Sequence, residues 1–114
     1  MFSLLRSWKR KRLMNRSIPV EWYSYLDKYI PFYSKLIPEQ KERFLNDLKI
    51  FIGEKNFFGA KNLKIEDEIK VVVAAGAVRL TLFLDLSFYD RLTEIIIYPF
   101  DYKRINKIYR FQQG

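Results

Sequence analysis

The chain has 114 residues, 49% hydrophobic and 18% aromatic, which suits one small packed domain and excludes an intrinsically disordered chain. It contains no cysteine and no histidine. That excludes disulfides, zinc sites ligated by imidazole or thiolate, and Ser-His or Cys-His activation within these residues. The formal net charge is +8, but six basic residues (Arg6, Lys9, Arg10, Lys11, Arg12 and Arg16) lie in an opening stretch without an acid, so the body is close to neutral and a nucleic-acid surface over the whole domain is disfavoured.

Residues 1–17 form a basic arm. Its basic residues interrupt the apolar run before a secretory signal can form. Phe2, Leu5, Trp8 and Arg12 share a rough helical face, as in an interfacial helix, and Lys9, Arg10, Lys11, Arg12 and Arg16 are candidates for contact with an anionic surface. The competing and favoured reading is a solvated, frayed terminus, whose removal is expected to cost no more than about 1 kcal/mol.

Pro19 suits the first turn of a helix and Ser17 lies close enough to contribute to its cap. Trp22, Leu26, Tyr29 and Ile30 then fall at helical spacing, until Pro31 ends or kinks the helix. A second helix opens at Pro38-Glu39-Gln40 and buries Phe44, Leu45, Leu48, Phe51 and Ile52, with Gly53 loosening its end. Residues 56–65 read as a loop or short extended piece.

Glu66-Asp67-Glu68 precedes a long apolar run. Paired carboxylates serve acid/base and metal sites, but here the favoured reading is a helix N-terminus stabilised by the dipole. Val71, Val72, Val73 and Val78 leave a buried strand open. The length of the run from Ile69 to about Leu84 favours a core helix buried nearly all round. Leu86 to Arg91 reads as a turn or a short helix capped by Ser87. Thr93 to Tyr98 reads as a buried strand ended by Pro99. The expected fold is α+β and mostly helical, a small single domain over residues 18–100 with a buried core helix and one clear strand, followed by a basic and aromatic tail over 101–114.

A series of segments carries a resemblance. A Met-Phe opening and the Lys9 to Arg12 cluster come first, then Pro19 to Trp22, Ile30-Pro31-Phe32-Tyr33 and Leu36-Ile37-Pro38-Glu39. Phe51-Ile52-Gly53-Glu54-Lys55 follows, with Phe57 and Gly59, then Leu63-Lys64-Ile65, the Ala74-Ala75 helix and Ile97-Tyr98-Pro99. In this order they resemble the N-terminal part of cytoplasmic bacterial zinc-dependent peptidases of the MtfA (Mlc titration factor A) type. That family carries H-E-x-x-H on a later helix, with two imidazoles on zinc and a glutamate base. No catalytic or metal residue carries over to this chain, which lacks histidine. The sequence also departs from the family at Ala75 to Arg79, and Arg79 on a buried helix needs a partner or a water path.

The resemblance implies a non-catalytic N-terminal region, inactive alone and without a cofactor of its own, with zinc in the full-length family. Its partner would be the missing catalytic region or a protein such as a transcriptional regulator. Nucleic acid and membrane are not the expected partners. In the tail, Lys103, Arg104, Lys107 and Arg110 interleave with aromatics, the composition of a single-strand nucleic-acid surface. The preferred reading is a docking surface of Tyr102, Ile105, Ile108, Tyr109 and Phe111, with self-association when it is uncovered. The rival readings are a stand-alone interaction module, or a peripheral membrane or nucleic-acid binder acting through residues 1–16.

Overall fold

The computed structural model describes residues 2–99. Five helices and a two-stranded sheet follow in the order α1 (Phe2–Met14), α2 (Val20–Tyr29), α3 (Pro31–Ser34), α4 (Pro38–Glu54), β1 (Asn56–Gly59), α5 (Asp67–Thr81), a 3-10 turn (Leu86–Tyr89) and β2 (Glu94–Ile97). The mostly helical α+β class expected from the sequence is the class observed. The tail residues Tyr102, Ile105, Ile108, Tyr109 and Phe111 lie outside the described residues.

Proline sets the helix boundaries. Pro19 is the N-cap of α2, with no side-chain cap, so Ser17 does not serve that role. Ile30, kept out of the helical region by Pro31, closes α2 at φ −125° while its N–H still donates to the Leu26 carbonyl at 2.9 Å. Pro38 is the first residue of α4, and the Gln40 side-chain oxygen accepts from the Ile37 N–H at 3.2 Å.

The core forms where α2, α4 and α5 meet. Trp22, Leu26 and Tyr29 from α2 pack with Phe44, Leu48 and Phe51 from α4 and with Val71, Ala74, Ala75 and Val78 from α5. Phe32 meets the Phe44 ring edge-on at 5.4 Å, and Tyr89 meets Phe51 likewise at 5.4 Å. The expectation that α5 is buried nearly all round is corrected. Gly76, Arg79 and Leu80 are exposed, because they fall on one outward stripe three to four residues apart. Arg79 therefore needs no buried partner, and its guanidinium lies 4.8 Å from the centre of the Phe32 ring.

β1 and β2 pair in parallel, with Asn56 opposite Glu94 and Gly59 opposite Ile97. Parallel neighbours need a crossover, and α5 supplies it, giving a βαβ unit. The single strand expected from the sequence thus has a partner in the segment read as a loop or extended piece. Nor is β2 a buried strand: Ile97 is buried, while Glu94 and Ile96 are exposed, because among the described residues only one face of the pair meets helices. After β1 the chain reverses through Ala60–Leu63, where Lys61 and Asn62 both have positive φ (52° and 66°) and the Leu63 N–H donates to the Ala60 carbonyl. A Cβ on Gly59 would stand 1.9 Å from the Leu63 carbonyl oxygen, so this turn requires glycine there.

The 3-10 turn is capped by Asp85, whose carboxylate accepts from the Ser87 N–H, and not by the Ser87 side chain. The N-terminal arm is the largest departure from expectation. It is not a frayed terminus: it is helical from Phe2 and packs on α4, where Leu13 is buried with Ile50 and Leu86.

Candidate functional site

α1 is fixed to the body by charge as well as by Leu13. Arg10 donates from Nε and Nη2 to the two oxygens of Glu54 at 2.6 and 3.0 Å, and from Nη2 to Asp90 at 2.7 Å. Arg6 adds a 2.9 Å bond to the other Asp90 oxygen. The Glu54 hydrogen bonds raise the Arg10 pKa further above its ordinary value, against the opposing effect of burial. At the C-terminal end of α1, Lys49 donates to the carbonyls of Met14 and Arg16, so a cation meets the negative end of the helix.

The candidate anionic-surface residues therefore divide into two groups. Arg10 faces inward and is neutralised. Lys9, Lys11, Arg12 and Arg16 are exposed, and no described acid lies within ion-pair distance of them. Arg12 sits over the Trp8 ring at 5.2 Å.

Inside the fold the polar groups serve structure. Thr81, fully buried, approaches both Asp47 and the Val78 carbonyl at 2.7 Å. Burial raises the Asp47 pKa, opposed by the Thr81 hydrogen bond and by Arg43. Arg43 donates to the carbonyls of Thr81 and Leu84 and so closes the C-terminus of α5. Lys55 is buried, donates to the Tyr89 carbonyl at 2.7 Å, and has its pKa lowered by burial. Asp47, Thr81 and Arg43 were not singled out in the sequence, and Lys55 was named only within the segment that carries the resemblance. Apart from the Val78 carbonyl, their partners lie 34 to 41 positions away, so no local spacing announces them.

Zinc, implied by the resemblance, does not fit the described residues. Imidazole and thiolate are absent from the sequence, and no three acidic side chains come together as a metal-binding group among the described residues. Glu54 and Asp90 are held by arginines. The Glu66-Asp67-Glu68 cluster stands at the N-terminus of α5, with Glu66 at the cap and the other two in the first turn. A cleft of about 220 Å³ opens beside the α1–α2 connection, lined by Leu13, Arg16, Ser17, Pro19, Trp22, Lys49, Ile52 and Gly53. It holds a hydroxyl and two cations but no acid and no base to activate a nucleophile.

The family described as glucose-regulated metallo-peptidase M90 matches residues 5–113. An uncharacterized protein from Synechocystis sp. is 35% identical over 92 residues, covering 81% of this chain and 34% of the relative. The chain thus spans about a third of the length of that curated relative. No solved structure matches it.

Proposed function

The chain belongs to the glucose-regulated metallo-peptidase M90 family, and on that premise we propose that its 114 residues act as a non-catalytic N-terminal region of a zinc-dependent peptidase. The observation that carries this reading is chemical. The sequence holds no imidazole or thiolate, and the fold commits its inward acids to arginine and threonine partners. Zinc and the catalytic base would come from residues outside these 114, and no step of the chemistry is assigned to this chain.

The role left to it is to support and cover the catalytic part. The βαβ unit favours this. Parallel sheets are ordinarily covered on both faces, yet Phe58 and Ile96, register partners on the outer face, are both exposed. Phe83 and Phe88 add exposed aromatic surface on the α5–β2 connection, Phe83 being 85% exposed. A catalytic region, or a protein partner such as a transcriptional regulator, would cover such surface. The same exposure would favour self-association of the isolated chain. The setting is cytoplasmic in this reading.

The test is to read the coding frame beyond codon 114. An H-E-x-x-H motif downstream is the expected result. A stop codon there overturns it in favour of a stand-alone interaction module.

A further inference from the structure

α1 turns two kinds of side chain in opposite directions. Arg6, Arg10 and Leu13 face the body and are held by Asp90, Glu54 and the Ile50–Leu86 cluster. Leu4, Leu5 and Trp8 face away, at 76%, 62% and 62% exposure. Around and beyond them stand Lys9, Lys11, Arg12 and Arg16, all exposed, and no acid precedes Glu21 in the sequence.

An apolar stripe flanked by unneutralised cations is the composition of a helix that lies in a membrane interface. From this outward face we infer that α1 is a peripheral anchor for an anionic bilayer surface. Leu4, Leu5 and Trp8 enter the boundary between headgroups and acyl chains, while Lys9, Lys11, Arg12 and Arg16 meet the lipid phosphates. Charge complementarity selects this occupant, since juxtamembrane cations are drawn to the anionic cytoplasmic leaflet. Nucleic acid would satisfy the cations and leave Leu4 and Leu5 in water.

The sequence set membranes aside because the arm read as a frayed end. The docked helix removes that premise: α1 is already ordered on α4, so binding incurs little ordering cost. The mode is in-plane, since no helix among the described residues is long and apolar enough to cross a membrane. This inference does not depend on where the catalytic residues lie.

The experiment adds the 114-residue chain to phosphatidylcholine vesicles with and without phosphatidylserine, and follows tryptophan emission and co-sedimentation. Trp22 is buried, so a blue shift reports Trp8. Vesicles containing phosphatidylserine should bind the chain at least about tenfold more tightly than neutral ones, and Lys9→Ala/Arg12→Ala should weaken that binding by about tenfold or more. Leu5→Gln/Trp8→Gln should also weaken it at least about tenfold, with an unchanged circular dichroism spectrum. Quenching of wild-type Trp8 by brominated lipid gives a second reading that needs no variant. Failure to bind either vesicle, absence of quenching, or equal binding by the Leu5/Trp8 variant overturns the inference. So does preferential binding of a single-stranded oligonucleotide that the same variant leaves intact.

Discussion

Arg10 grips both carboxylate oxygens of Glu54, through Nε at 2.6 Å and Nη2 at 3.0 Å, and so ties the first helix to the end of the fourth. The pair is largely shielded, with the Arg10 and Glu54 side chains 19% and 14% exposed. Its loss should therefore fall between that of a surface pair and a buried one. Arg10→Met, which keeps the apolar stem, is expected to cost about 1–3 kcal/mol in urea unfolding. Trypsin should also cut α1 faster in this variant. Arg10→Lys should recover only part of the loss, because an ammonium cannot make the fork. Deleting residues 1–16 removes this grip together with Leu13, and should cost more than the about 1 kcal/mol expected of a frayed end. Equal stability of Arg10→Met and wild type would show that α1 is not held by this pair.

Gly53 and Leu13 predict a reversal of sign. A Cβ on Gly53 would lie 2.6 Å from one Leu13 methyl and 3.0 Å from the other. Alanine in place of glycine favours a helix by up to about 1 kcal/mol. In the wild-type background the clash offsets that gain, so Gly53→Ala should be neutral or destabilising. In a Leu13→Ala background the same substitution should stabilise. A double-mutant cycle read by thermal unfolding checks the reversal.

Asp47 should give the protein a pH dependence of known sign. Burial raises its native pKa above the ordinary value of 3.8. Between those two values the native state binds more protons than the unfolded one. The stability from that protonation is complete below the ordinary value and is lost as pH rises through the raised native value. The Thr81 hydroxyl has one proton for two acceptors, Asp47 and the Val78 carbonyl. An amide at position 47 would donate to Thr81 and leave that proton for Val78. Asp47→Asn should therefore raise the melting temperature near pH 7, with the advantage disappearing below about pH 4. No advantage at neutral pH would contradict this account of the site.

What the sequence disclosed follows the range of the interactions concerned. Phe44, Leu48 and Phe51 repeat at helical spacing, so the buried face of α4 was legible, as were the break at Pro31 and the helix start at Pro38. Ile50 was not, because it faces α1 and not the main core. The docking of α1 rests on Glu54 and Asp90, 44 and 80 positions from Arg10, and no local pattern reports such pairing. β1 is four residues long and is a strand by virtue of β2, across the whole of α5. That imidazole and thiolate ligands are missing was legible from composition alone, since no histidine or cysteine occurs. The outward face of Leu4, Leu5 and Trp8 became visible only once the inward face of α1 was fixed.

We propose that these 114 residues supply structure and surface to a metallopeptidase, and not its chemistry. The most direct measurement is zinc content and peptide cleavage of the purified chain, with and without chelator. No stoichiometric zinc and no chelator-sensitive cleavage are expected. One zinc bound per chain, together with cleavage that chelator abolishes and added zinc restores, would contradict it.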